Sequence, residues 1–155
     1  MKTALYWLIQ CVWGLPQTLL GLILVLLHRR DEHFLYHGAL VTRWQGRSSM
    51  SVGPFVFLTA DPFFAEKFAG QYTREELSDR LLVHEYGHTI QSMLLGPLYL
   101  IVIGVSSTLW GWLPSLNRMR HEKQVSYFAF FTERWANACG EWVTGRKSME
   151  QLVID

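Results

Sequence analysis

The residues best suited to chemistry lie in one short segment, His84-Glu85-Tyr86-Gly87-His88. On an α-helix, two histidines four positions apart share one face, where both imidazoles can bind one zinc ion. Glu85 directly follows the first histidine, so its carboxylate can reach a water beside the metal and accept its proton. The segment therefore predicts metal-assisted hydrolysis, with His84 and His88 as ligands and Glu85 as general base.

The sequence around this segment predicts a helix. Thr73 followed by Glu76 fits the Thr-x-x-Glu capping box, and the helical pattern runs on to a Gly-Pro pair, which gives a helix over residues 73–95. Gly87 in its interior costs roughly 1 kcal/mol relative to Ala. We therefore expect a close approach to the helix at Gly87 by backbone, metal or substrate.

The third metal ligand has to come from another part of the chain, because a catalytic zinc takes three protein ligands and keeps a fourth position for water. Glu133 is the main candidate, since it opens a Glu-x-x-Ala-Asn string that ends at Asn137 on a predicted helix over residues 122–143. Three further residues stay open as third ligands: His121, Glu122 and Glu141.

With these two motifs the sequence resembles the gluzincins, metallopeptidases that combine H-E-x-x-H with a distant Glu. It is most similar to their membrane-bound group, namely the CAAX prenyl proteases, the bacterial heat-shock membrane protease and the antibiotic-sensing receptor proteases, which carry Glu-x-x-Ala-Asp. The resemblance covers residues 81–140. It implies that Glu133 is the third zinc ligand and that Asn137, standing where the family has Asp, orients a ligand histidine. A neutral Asn would raise the basicity of that histidine less than an anion does.

The motif and the resemblance together predict a zinc endopeptidase that cuts a peptide or a membrane-protein substrate. An oxyanion partner is also needed, and three residues are candidates for it: His121, Tyr127 and Arg134. An exposed strand edge near residues 52–58 can hold an extended substrate through backbone hydrogen bonds.

The composition indicates a membrane protein. Half of the 155 residues are hydrophobic and only 17% are charged. The uncharged residues 4–27 are long enough to cross a hydrocarbon layer of about 30 Å, so we predict a transmembrane helix there and a second apolar membrane segment over residues 96–113. A signal peptide is the competing interpretation of the first run, but the run is too long and no cleavage site follows it. The predicted location is the lipid bilayer, and by resemblance a bacterial inner membrane.

The expected fold is a single, mainly α membrane domain with a small β-ribbon over residues 34–60, a stretch rich in β-branched and aromatic residues. If residues 96–113 simply crossed the bilayer, the zinc helix and Glu133 would lie on opposite faces of the membrane and could not share a metal. We therefore predict a helical hairpin with residues 124–131, turning near residues 114–117, or a re-entrant segment. Charge bias gives no orientation, and the apolar faces are compatible with a homo-oligomer.

Three other function classes compete with this prediction. A net charge of +1 without a basic run argues against nucleic-acid binding. A membrane di-iron oxidoreductase would use His33 and His37, which repeat the four-residue spacing, with His28 and His121, but residues 33–37 are predicted to be extended. A non-catalytic zinc-binding scaffold or pseudoprotease is favoured by the short chain and by the Asn at position 137.

Overall fold

The computed structural model describes residues 3–149. Their α-helices are α1 (Thr3–Val12), α2 (Leu15–Leu27), α3 (Arg74–Leu95), α4 (Ser106–Trp112), α5 (Pro114–Lys123) and α6 (Phe131–Thr144). Their strands are β1 (Glu32–Tyr36), β2 (Ala39–Trp44), β3 (Met50–Val52) and β4 (Phe55–Thr59). The chain is thus mainly helical with one small sheet, which confirms that part of the expected fold class.

Helix α3 begins where the capping box predicts. Glu76 N–H donates to the Thr73 hydroxyl, and Thr73 N–H donates to the Glu76 carboxylate at 2.8 Å. The helix ends before Gly96, whose φ of 53° lies in the left-handed region that glycine adopts without strain. All residues from 81 to 92 are buried. Helix α3 is therefore the central element on which the rest of the chain packs.

The sheet has the strand order β1-β2-β4-β3. β1 and β2 are antiparallel, β2 and β4 are parallel, and β3 and β4 are antiparallel. Every residue of β4 is buried, whereas β3 is a three-residue strand at the edge of the sheet. The predicted β-ribbon is therefore a four-stranded mixed sheet, and its edge strand β3 contacts α3 through Ser51.

Two helices replace the single helix predicted near the N-terminus. The axes of α1 and α2 meet at 106°, and Pro16 lies in the first turn of α2. Gln10 and Gln17 are fully buried on either side of the bend. Gln10 Nε2 donates to the Thr89 carbonyl, and Gln17 Nε2 donates to the Ser92 hydroxyl. The prediction of one continuous helix is wrong, because polar side chains from both arms bind the same stretch of α3.

The geometry of the apolar helices bears on the membrane prediction. Among residues 3–149, no single helix has both the length and the apolar character needed to cross a membrane. Two bent pairs reach that length and character together: α1 with α2, and Arg74–Leu98 with Leu100–Trp112, which are bent by 116°.

The second apolar segment is also interrupted. A 3-10 turn over Gly96–Leu98 leads into a π-helical stretch over Leu100–Val105, and α4 follows. Helix α5 then folds back, so that the Arg120 guanidinium lies 4.8 Å from the centre of the Trp110 ring. The chain therefore folds back after α4, but the returning arm is α5, which begins at the residues predicted to form the turn.

Two boundaries predicted for the segment after α5 are wrong. The sequence predicts residues 124–131 as the returning arm of the hairpin, but residues 124–130 contain only a 3-10 turn over Tyr127–Ala129, and α6 begins at Phe131. The helix predicted over residues 122–143 begins at Phe131, because Gln124 adopts a left-handed conformation with a φ of 50° and ends α5.

Helices α3 and α6 cross at two glycines. A Cβ atom on Gly87 would lie 1.8 Å from the Ala136 carbonyl oxygen, and one on Gly140 would lie 2.1 Å from the Val83 carbonyl oxygen. Only glycine allows the two backbones to approach this closely. The close approach predicted at Gly87 is therefore made by the backbone of α6. This crossing brings α6 onto the face of α3 that carries the histidines.

Candidate metal centre

Side chains from α3 and α6 converge at one point of the buried helix crossing. The Glu133 Oε2 atom lies 3.2 Å from His84 Nε2 and 3.4 Å from His88 Nε2. The ligand atoms of all three residues lie within 4.8 Å of one another. Three ligands of a tetrahedral zinc ion with bonds of about 2.1 Å would be about 3.4 Å apart. The structure thus brings the three predicted ligands together in a group that could hold one metal ion.

The metal group is shielded from solvent. The exposed fraction is 2% for His84, 7% for His88 and 1% for Glu133. The Thr132 hydroxyl donates to Glu133 Oε1 at 3.1 Å. Since Oε1 is engaged there, Oε2 is the oxygen that faces both imidazoles.

The electrostatics of the group are dominated by Glu133. Burial by itself would raise the pKa of the Glu133 carboxyl, but the charge of His88 and hydrogen bonds from both histidines hold it well below its usual range. Burial would lower the pKa of His88, yet the Glu133 carboxylate outweighs it and raises that pKa to about 9. The Glu133 carboxylate and the His88 imidazole thus each favour the charged form of the other.

Amide oxygens orient both histidines. His84 Nδ1–H donates to Asn137 Oδ1 at 2.8 Å, and His88 Nδ1–H donates to Gln91 Oε1 at 2.7 Å. An amide oxygen can only accept, so Nδ1 of each imidazole carries a hydrogen, and Nε2 is the ring atom that faces Glu133 and would bind a cation. The residue implied by the resemblance, Asn137, therefore lies where it can orient a ligand.

Gln91 is a functional residue that sequence reasoning missed. Besides accepting from His88, it donates through Nε2 to the Thr132 carbonyl at 2.8 Å, which ties α3 to the first turn of α6. Its position three residues after His88 on the same helix face is the signal that could have identified it.

The predicted base lies beside the ligand group and is not part of it. The Glu85 carboxylate is 5% exposed, and its Oε2 atom accepts a hydrogen bond of 2.6 Å from the Ser51 hydroxyl. Its charge adds to that of Glu133 in raising the pKa of His88. Ser51 carries no motif, so the sequence contained no signal for this contact.

The candidate oxyanion partners are separated by the structure. Burial, together with the carboxylates of Glu133 and Glu85, raises the pKa of Tyr127, so the phenol keeps its proton. His121 and Arg134 are exposed. Tyr127 is therefore the only one of the three candidates placed beside the metal group.

The residues kept open as third ligands lie elsewhere. Within residues 3–149, the potential metal-binding group contains only His84, His88 and Glu133. His121 and Glu122 are exposed on α5. The Glu141 carboxylate accepts two hydrogen bonds from Ser148.

The histidines required for a di-iron centre do not join this group. His33 lies in strand β1, in agreement with the extended conformation predicted for it. Its Nδ1 atom lies 3.0 Å from the Thr42 hydroxyl and forms a hydrogen bond with it. His28 pairs with Asp31. The part of the chain that the structure describes contains one candidate group of three metal ligands, and none of these histidines belongs to it.

Comparisons with protein-family models, with curated proteins and with solved structures find no match to this chain.

Proposed function

We propose that this chain is a zinc-dependent endopeptidase that acts at or in a membrane. The observation that carries the proposal is the convergence of His84, His88 and Glu133, with Glu85 next to them on the same helix. Two imidazoles and one carboxylate are typical of catalytic zinc, whereas structural zinc sites usually contain cysteine. The resemblance to the membrane-bound gluzincins points to peptide-bond hydrolysis.

Each residue has a defined role in this reaction. Bound zinc would polarise the scissile carbonyl and lower the pKa of a water to about 7. Glu85 would accept the proton of the attacking water and return it to the leaving amine. Tyr127 would donate its phenolic hydrogen to the carbonyl oxygen as negative charge develops there.

The membrane part of the proposal is supported by the exposed apolar side chains. Most of the large ones within residues 3–149 lie in two stretches without charge, residues 4–27 and 93–113. Many exposed large apolar side chains are typical of a surface that contacts other molecules, and the absence of charge in both stretches favours the hydrocarbon of a bilayer as that contact. Side chains from both stretches are exposed: Leu8, Val12, Leu19, Ile23, Leu27, Ile101, Val105 and Trp112.

A zinc-stabilised scaffold without catalytic activity is the alternative function. It is favoured by the deep burial of the three ligands and by Asn137, which is neutral where the family has Asp. The two functions differ in what Glu85 does, since only catalysis requires a base beside the ligands.

The first test is the zinc content of the detergent-purified protein and of its His88→Ala and Glu133→Ala variants. We expect one zinc per chain in the wild type and loss of zinc in both variants. Absence of zinc in the wild type, or zinc that does not depend on Glu133, would contradict the proposed ligand set.

The second test is cleavage of dye-labelled casein by the zinc-loaded protein. We expect Glu85→Gln to keep its zinc and to lose cleavage, while the control Glu75→Gln, an exposed change in the first turn of α3, behaves as wild type. Cleavage that survives Glu85→Gln would refute the role of the base. Zinc binding without cleavage in the wild type would support the scaffold.

A further inference from the structure

The catalytic base of the proposed mechanism is held by a hydroxyl group from the edge of the sheet. Ser51 Oγ lies 2.6 Å from Glu85 Oε2 and 2.8 Å from the backbone oxygen of Glu85. A hydroxyl has one proton to donate, and a distance of about 2.6 Å is typical of a charge-assisted hydrogen bond to a carboxylate. Ser51 therefore donates to the side chain of Glu85.

Ser51 is itself fixed by its neighbours. It lies opposite Val56 in the antiparallel pairing of β3 with β4. Its carbonyl oxygen accepts a hydrogen bond of 2.9 Å from the Tyr99 hydroxyl. Tyr99 is buried directly before the π-helical stretch. With the strand paired to β4 and its carbonyl bound by Tyr99, the Ser51 hydroxyl has a defined position above α3.

A base beside a metal needs such a restraint. A glutamate side chain has three rotatable bonds, and an unrestrained carboxylate at position 85 could turn to the cation or pair with His88. In either arrangement it would no longer accept a proton from water. A hydrogen bond to Oε2 keeps the carboxylate in place and assigns the proton to Oε1.

We propose that Ser51 is the positioning residue of Glu85, so that an edge strand of the sheet orients the base of the metal site. This inference rests on the proposed function. It assigns a role to β3 that the motif on α3 does not contain. The alternative is that the hydroxyl only joins β3 to α3, and an experiment that reads the state of Glu85 separates the two roles.

The probe is acetohydroxamic acid, a small metal ligand that transfers a proton to the carboxylate beside the metal when it binds. Its affinity is measured from the visible spectrum of the cobalt-loaded protein. We expect Ser51→Ala to weaken binding about tenfold with cobalt content unchanged. Ser51→Thr, which keeps the hydroxyl, should restore binding, and the control Ser48→Ala, an exposed serine before β3, should behave as wild type.

A double-mutant cycle shows whether Ser51 acts through Glu85. We expect Glu85→Gln to weaken hydroxamate binding and Ser51→Ala to have no further effect in that background. Wild-type affinity in Ser51→Ala, or the same loss in both backgrounds, would overturn the positioning role and leave the proposed function intact. Wild-type affinity in Glu85→Gln, or failure of the wild type to bind cobalt, would overturn the proposed function itself.

Discussion

Both candidate ligand histidines are oriented by neutral amides. Asn137 and Gln91 accept the Nδ1–H groups of His84 and His88. A carboxylate in the same place would make the imidazole a more basic ligand. The amides thus select the tautomer without adding charge to a group that already contains Glu133 and lies next to Glu85.

Replacing Asn137 by Asp should strengthen metal binding. The Asn137 Nδ2 atom is buried and has no hydrogen-bond partner among the described residues, so its removal breaks no contact there. We expect Asn137→Asp to raise zinc affinity about tenfold, measured by competition with a chromogenic chelator. Asn117→Asp, the same change at an exposed position of α5, is the control. Equal or weaker zinc binding in Asn137→Asp would show that ligand basicity does not limit affinity.

Removing the acceptor of the other histidine should weaken metal binding. Gln91→Leu keeps the approximate size of the side chain, but it takes away the oxygen that orients His88. We expect zinc affinity to fall about 10- to 100-fold, by the same chelator competition. The matched control is Gln71→Leu, at an exposed position before α3. Wild-type affinity in Gln91→Leu would mean that His88 is oriented by its other neighbours alone.

At the residue scale, a site residue could be predicted when it lies close in the sequence to the other residues of the site. His84, Glu85 and His88 are adjacent in sequence and share one helix, so their arrangement follows from helical periodicity. Ser51 contacts Glu85 across 34 positions, and no local pattern marks such a hydroxyl. Glu133 was found only because the resemblance supplied a second motif.

At the element scale, the metal group depends on how closely α3 and α6 cross. Gly87 lies against Ala136, and Gly140 lies against Val83. The two glycines are thus reciprocal, since each removes a Cβ at the point where the other helix presents a carbonyl. The crossing then places the first turn of α6, with Glu133, over the histidines.

Gly87→Ala should separate the helices and abolish metal binding. Helix propensity alone would favour Ala by about 1 kcal/mol. Overpacking costs typically 1–3 kcal/mol, and the upper end applies here because the added Cβ would lie 1.8 Å from a backbone oxygen. The net effect should therefore be destabilising by about 2 kcal/mol. Thermal unfolding and zinc content measure the two effects.

The matched control for this prediction is Gly104→Ala. A Cβ at Gly104 would meet only the Leu100 side chain, at an ordinary distance of 3.9 Å, so this variant should keep its stability and its zinc. A Gly87→Ala variant that bound zinc as tightly as the wild type would show that the crossing tolerates a wider spacing.

The helices differ in how well their boundaries could be predicted from the sequence. Helix α3 was predictable because its capping box is a local signal at its first turn. The break between α1 and α2 depends on Gln10 and Gln17 binding α3, some 75 to 79 positions away. The late start of α6 follows from a left-handed residue, Gln124, for which the sequence has no glycine signal. Long-range contacts and unusual backbone angles therefore account for the errors.

At the scale of the whole molecule, the apolar surface is attached directly to the metal helix. Gln10 Nε2 donates to the Thr89 carbonyl, one residue after His88, and Gln17 Nε2 donates to the Gly96 carbonyl at the end of α3. These contacts are buried, where hydrogen bonds are costly to break. Contact of α1 and α2 with lipid would therefore fix the depth of the metal group relative to the bilayer.

The depth of this surface can be measured with nitroxide spin labels. Ile23 on α2 and Ile101 in the π-helical stretch are 55% and 65% exposed, while Trp142 on α6 is 85% exposed and serves as the control. Each position is changed to cysteine in a variant without Cys11 and Cys139, labelled, and reconstituted into phosphatidylcholine and phosphatidylglycerol vesicles.

Because oxygen concentrates in hydrocarbon and a nickel chelate stays in water, the ratio of their collision rates reports whether a label lies in lipid. We expect labels at positions 23 and 101 to collide mainly with oxygen and the label at 142 mainly with the chelate. The apolar surface is uncharged around the first two positions, whereas Trp142 follows Glu141 on α6. If all three labels met the chelate equally, this surface would not contact lipid, and the membrane part of the proposed function would fail while the metal chemistry stood.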